Sequence, residues 1–359
     1  MNTERFKILS IDGGGIKGIV PCIILKAIET ETHAPISELF NLIAGTSTGG
    51  IIALGLTKPD PKKGYAFTAD DMLQLYVQHG KDIFAKRHQD LLSRIGSLFS
   101  ITEDVVTHNY DVTGFETLLK GKFGETRIKD AIIPLLITTY DVASGKPYYY
   151  SSRLAELAEE ENTSMFQVAR STSAAPTFFE PYLVKNNQDQ KMAFVDGGVF
   201  ANNPSVLAYA EAKELWKKDK RLDVPGLVKK DAKGHYAIVT PDDKDLPFYM
   251  LSLGCGGGPS LVDYSDAQNW RAASWIKPLL TDVFMRSVEE SVHYIMQYLM
   301  PPFENGIPRY DRLNPLLPPD NRNMDDASDK NIEDLVAIAE EFVSKNKEQI
   351  KRISDTVYK

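Results

Sequence analysis

A chain of 359 residues, 43% apolar and 25% charged, has an ordinary globular composition, which excludes disorder, collagen and coiled coil. Acidic residues outnumber basic ones by 49 to 41; the net charge of −8 is the wrong sign for tracking a nucleic-acid backbone and repels an anionic bilayer at long range. Cys22 and Cys255 have no histidine or cysteine at ligand spacing, so neither a zinc site nor a disulfide scaffold is expected, and a reducing cytoplasm fits.

Residues 1–20 are interrupted by Glu4, Arg5, Lys7, Asp12 and Lys17, so they hold no signal-peptide apolar core, and no 18-residue apolar run occurs along the chain. Phe6 to Ile11 predicts a short buried strand, Asp12 to Gly18 (DGGGIKG) a turn, and Ile19 to about Glu31 a helix with Pro21 tolerated in its first turn. Leu39 to Ala44 predicts a second strand, and Gly45 to Gly50 (GTSTGG) a sharp turn into a helix from Ile51. Residues 65–125 are mixed helix and loop, with a solvated face at 81–90. Residues 132–140 and 146–151 are predicted strands, 165–173 a helix, and 192–195 a strand ending at Asp196. Asn202-Asn203-Pro204 predicts the cap of a helix running to Trp216. The charged stretch 217–245 has the composition of a surface insertion; a strand at 248–253 and amphipathic helices at 266–300 and 328–356 follow. With no repeat and no flexible linker, residues 1–359 are expected to form a single elaborated α/β domain. Residues 6–210 carry the motifs, and 211–359 add the insertion, a strand and C-terminal helices.

Gly45-Thr46-Ser47-Thr48-Gly49 is G-x-S-x-G at a strand-to-helix turn, where flanking glycines allow a tight elbow that lifts the Ser47 hydroxyl clear of the backbone. The alternative is a glycine turn in which Ser47 only caps the helix. Gly13, Gly14 and Gly15 supply successive N–H groups at a helix start, the physical specification of an oxyanion hole. Gly13, Gly15 and Gly18 also match the dinucleotide fingerprint, but the second strand ends in Ala44-Gly45-Thr46-Ser47 where that motif needs an acidic residue. A phosphate loop is excluded because Ile51-Ile52 follows the second glycine turn. Asp196-Gly197-Gly198 ends a strand and brings a carboxylate to the same edge of the sheet as Ser47. None of the six histidines (33, 79, 88, 108, 235, 293) lies in a triad motif; only His235 and His293 follow Asp196, so a Ser-Asp dyad is the better reading. No cofactor or metal is called for.

DGGGIKG, GTSTGG and DGGVFANNP, in that order, resemble the three defining motifs of the patatin-like phospholipases, over about residues 6–210. A weaker echo lies in Tyr310-Asp311-Arg312-Leu313 and the helix start at Asp325-Asp326. The resemblance implies a three-layer fold whose central, mainly parallel sheet is flanked by helices. It implies lipid acyl hydrolysis by a Ser47–Asp196 dyad, with an oxyanion hole from the backbone of Gly13, Gly14 and Gly15. Lys17 departs from the family: many members have Arg, and Lys keeps the charge but loses the planar fork.

The expected partner is membrane phospholipid, met by transient docking on the inner membrane face. The resemblance also points to bacterial patatin-like effectors switched on by cyclic nucleotides in phage defence, so a cyclic dinucleotide activator is an expectation of that likeness alone. Trp270, Trp275, Phe284, Met285, Met296, Tyr298 and Met300 form an aromatic and Met-rich stretch, read as core or as a lipid-facing lid or homo-oligomer interface. Rival functions are a catalytically silent storage or scaffold protein and a nucleotide-binding enzyme using the Gly13 turn.

Overall fold

The computed structural model describes residues 5–85, 110–185, 191–219, 246–258 and 285–358, the short stretches 228–230 and 236–238, and positions 264 and 268. Its main sheet has eight strands. They are β1 (Phe6–Ile11), β2 (Leu42–Thr46), β3 (Leu135–Asp141), β4 (Lys146–Ser151), β5 (Tyr182–Lys185), β6 (Lys191–Asp196), β7 (Phe248–Leu253) and β8 (Tyr310–Leu313). The order β8-β7-β1-β2-β3 is parallel throughout. Along one edge of β3 runs β4, antiparallel to it. On the other edge β6 pairs antiparallel with β3, and β5 with β6.

Side chains alternate across a strand, so a continuous apolar run feeds two cores at once. Leu9 and Ile11 of β1, Ile43 of β2, and Leu135 and Ile137 of β3 face a large core. Helices α1 (Ile19–Thr32), α2 (Thr48–Thr57), α3 (Ala69–Ile83), α4 (Val112–Phe123) and α5 (Met165–Thr172) fill that core. Two C-terminal helices, α8 (Asp329–Lys345) and α9 (Lys347–Tyr358), also pack there. Phe6, Ile8, Leu42, Ala44 and Leu136 face the smaller core on the other side, covered by α6 (Ser205–Asp219) and α7 (Met285–Leu299). The result is the three-layer arrangement that the motifs implied: helices, mixed sheet, helices.

Several predicted elements differ in detail. Residues 36–39 form a helical turn after Pro35, so β2 starts at Leu42, where the apolar run becomes continuous. The predicted helix over 328–356 is two helices, each with its own amphipathic stripe, broken at Asn346, whose N–H folds back onto Phe342 O and Val343 O. The edge strand β5 was not foreseen, because its four residues are too short for a period to register. Within the insertion, residues 228–230 and 236–238 pair as antiparallel strands; Trp270, Trp275, Phe284 and, apart from position 268, residues 266–284 lie outside the described residues.

Candidate active site

A strand has only two edges, and β4 occupies one edge of β3 from Leu136 to Asp141. Therefore β2 and β6 share the other edge, pointing at each other. Running parallel to β3, β2 ends with Thr46 opposite Thr138; running antiparallel, β6 ends with Asp196 opposite Thr139. The two carboxyl ends meet head-on at adjacent registers, which places Ser47, one residue beyond Thr46, beside Asp196. Four threonines stitch the seam. Thr46 Oγ1 donates to Ala201 O at 2.7 Å, Thr139 Oγ1 to Val195 O at 2.7 Å, and Thr172 Oγ1 to Thr138 O at 2.7 Å. Thr46 Oγ1 and Thr138 Oγ1 are themselves 2.7 Å apart.

Ser47 has φ 54° and ψ −122°, a strained conformation for a residue with a side chain. The seam enforces it: Ser47 N–H donates to Thr172 Oγ1 at 2.8 Å, and α2 begins at once behind it. Gly49 permits the elbow, because a Cβ there would collide with the carbonyl oxygens of Ile11 and Asp12. The Ser47 side chain makes no capping bond to α2, so the role of a simple helix cap is not the one it plays.

Asp196 is 2% exposed. Its Oδ1 accepts the Gly198 N–H at 2.7 Å. Its Oδ2 is buried without a hydrogen bond of good geometry, yet the Ser47 hydroxyl is close enough to stabilise the charge. Burial dominates and pushes the carboxyl up to about 6, against the smaller pulls of Ser47 and the Gly198 amide. A carboxylate so raised is a stronger base toward a serine hydroxyl than an ordinary aspartate.

The glycine loop after β1 lies directly opposite. A Cβ on Gly13 would sit 3.2 Å from Ser47 Cβ. Of the three backbone donors, Gly13 N–H is already committed to Asn202 O at 3.1 Å. Those of Gly14 and Gly15 precede the first bond of the turn Gly15–Gly18, so no intrahelical acceptor claims them. Behind the loop, Arg312 on β8 binds Asp12 Oδ2 at 2.6 Å and Ser252 Oγ at 2.8 Å. Burial raises the Asp12 carboxyl, and Arg312 offsets part of that rise.

Two cavities meet here. A narrow apolar slot opens from Ser47 between Ile51, Tyr76, Phe84, Phe115 and Phe179. A larger polar basin lies over Gly13 and Gly14 and is lined by Lys17, Arg286, Glu289, His293 and Arg312. Phe178 and Met324 line both and form the wall between them.

Other residues singled out in the sequence fall in mixed places. His33 is exposed and His79 pairs with Asp82 at 3.1 Å. His293 lines the basin and contacts Tyr310 OH at 3.2 Å; burial lowers its pKa. His88, His108 and His235 lie outside the described residues, among which no histidine is hydrogen-bonded to Ser47 or Asp196. Of the described residues in the aromatic and Met-rich stretch, Met296 and Met300 are core, Met285 lines the basin, and Tyr298 is 70% exposed. Asp311 is held by Arg352 and Tyr249, and Asp325, on the basin lining, by Tyr110.

Asn203 Oδ1 accepts the Ser205 N–H and starts α6 as predicted, but Asn202 is no cap: it turns into the site. Thr138, Thr172 and Glu289 carried no sequence signal, because threonines in a strand and a glutamate on an amphipathic helix look ordinary until the fold brings them together.

The model of the Patatin-like phospholipase family matches residues 9–209, more than half of the chain. Patatin-like protein 2 from rice (Oryza sativa) is 30% identical over 94% of this chain and 84% of its own length. Patatin-like protein 1 from Arabidopsis thaliana is 30% identical over 94% and 81%. Patatin-2-Kuras 3 from Solanum tuberosum is 28% identical over 95% and 84%. A solved structure, VipD from Legionella pneumophila, aligns with a TM-score of 0.35 and 12% identity over 94% of this chain and 67% of that one, too distant to bear on fold or function. With the three motifs gathered around one seam of a three-layer fold, the chain belongs to the patatin-like phospholipase family.

Proposed function

We propose that the protein hydrolyses fatty-acyl esters of phospholipids, with Ser47 as nucleophile and Asp196 as its base. The observation that carries this reading is the head-on meeting of β2 and β6, which sets a strained serine beside a buried carboxylate raised to about 6. Asp196 takes the Ser47 proton as Oγ attacks the ester carbonyl, and the N–H groups of Gly14 and Gly15 hold the developing oxyanion. Collapse expels the lysolipid alcohol, which receives the proton from Asp196 and leaves an acyl-Ser47 ester. Asp196 then deprotonates a water that attacks this ester, and fatty acid departs as Ser47 regains its proton. The apolar slot accommodates the acyl chain and the polar basin the head group. Among the described residues no helix is long and apolar enough to cross a membrane. In this reading the substrate is met at a membrane interface. Tyr294, Ile295 and Tyr298, all exposed within two turns of α7, supply a local apolar surface for that contact.

The test is fatty-acid release from mixed phospholipid vesicles by wild type and Ser47→Ala, with and without a panel of cyclic dinucleotides. Release by wild type alone is expected; release only with a nucleotide adds an activator to the reading. No release in any arm sinks it in favour of a scaffold role.

A further inference from the structure

Asn202 grips the glycine loop at both backbone groups of one residue, Gly13. Its backbone carbonyl accepts Gly13 N–H at 3.1 Å, and its side-chain Nδ2 donates to Gly13 O at 3.3 Å. The contact is close enough that a Cβ on Gly13 would collide with Asn202 Oδ1, so only glycine fits under the clamp. Asn202 lies six residues after Asp196, directly past the helical turn Gly198–Ala201. One short segment therefore carries both the carboxylate facing Ser47 and the grip on the loop that faces Ser47 from the other side.

The grip has its own anchor outside the three motifs. Asn202 Nδ2 also donates to Glu289 Oε1, on α7. Glu289 is mostly buried at the floor of the polar basin, with Arg312 Nη2 3.9 Å away. We propose that Asn202 is a positioning residue for the glycine loop and that ionised Glu289 holds it in place, so that α7 sets the register of the oxyanion donors against Ser47. This rests on the reading of Ser47 as nucleophile.

Ionised Glu289 accepts a charge-assisted bond from the amide, whereas the neutral acid accepts a weaker one and offers a proton that Asn202 Nδ2 cannot receive. Asp12 faces Glu289 from the glycine loop, with Lys17 and Arg312 opposing it; Arg286, Glu290 and His293 line the same basin from its own helix. Burial, with the nearby Asp12 charge, pushes the Glu289 carboxyl up to about 7, against the pulls of Arg312, Lys17 and Asn202. The grip therefore tightens as pH rises through that value.

The experiment follows hydrolysis of p-nitrophenyl butyrate by the full chain across pH 5 to 9, with melting curves for each variant. Asn202→Ala is expected to lower kcat by roughly 10- to 100-fold with KM within about two-fold, the signature of misplaced donors rather than lost binding. Glu289→Gln, which removes the charge and one acceptor oxygen at nearly constant shape, is expected to lower kcat about ten-fold at pH 8 and to remove the upper of two ionisations from the kcat profile, leaving the one near 6. A residue that only supports the fold would lower the melting temperature and leave that profile unmoved. With Ser47→Ala inactive, kcat of both variants within two-fold of wild type overturns the clamp and spares the nucleophile. An active Ser47→Ala overturns both.

Discussion

The two cavities that meet at Ser47 are built on different physical terms. The apolar slot is small and lined by side chains of the large core, among them Ile51, Tyr76, Phe115 and Phe179, so its shape is fixed by the packing that stabilises the fold. The polar basin is larger and lined by charged groups on the glycine loop, β8 and α7. Its charges of both signs are set by pairing and burial, and so by pH and salt. On the proposed reading, the acyl chain is selected by shape and the head group by charge, on separate walls that touch at Ser47.

Substitutions at the meeting point should ignore the distinction between the cavities, and those in either wall should expose it. Ser47→Ala is expected to reduce hydrolysis by roughly 10³-fold or more, for every acyl length and head group alike, measured as fatty-acid release. Asp196→Asn should reduce it comparably, while wild-type activity rises with pH as Asp196 ionises near 6. The same carboxyl supplies an opposite signature in stability. A folded-state pKa raised from 3.8 to about 6 means that ionisation works against folding, so wild type loses stability as pH climbs through that window. Asp196→Asn should therefore melt higher than wild type at pH 8, by at most on the order of 3 kcal/mol, the full linkage value. Equal melting at pH 8 and pH 4 would deny the carboxyl its buried, raised state.

Effects confined to one wall come next. Ala175→Phe, at the slot, should depress kcat/KM about ten-fold for long acyl chains and spare acetyl esters; a uniform loss would mean that the chain lies elsewhere. Arg286→Ala, in the basin, should raise KM for phospholipids roughly two- to five-fold and leave a neutral p-nitrophenyl ester unaffected. The smallest effect is assigned to His293→Ala, expected within two-fold in kcat; a collapse of activity there would restore a histidine base.

Legibility followed the range of each interaction. The two glycine turns and the elbow were readable because they are short-range: Gly13 to Gly18 and Gly45 to Gly50 each encode a strand-to-helix turn within a few residues. Asp196 was readable only through its Gly-Gly and its order behind the other motifs. That β6 runs against the parallel strands was not, since strand direction depends on a pairing partner more than fifty residues away. Asn202 was misread as a cap because Asn-Asn-Pro satisfies the capping pattern by itself, and its second Asn does serve there.

By itself, then, the sequence determined the α/β class, the three motifs and the residue types able to carry ester chemistry, because turn geometry and side-chain alternation are written in neighbours. The tertiary structure alone decided that two strand ends meet head-on against β3 and that burial lifts Asp196. It also decided that Asn202 closes on Gly13 and is itself held by Glu289, from a helix far away in the chain. Those outcomes depend on desolvation and on contacts between distant segments, which exist only once the chain has packed.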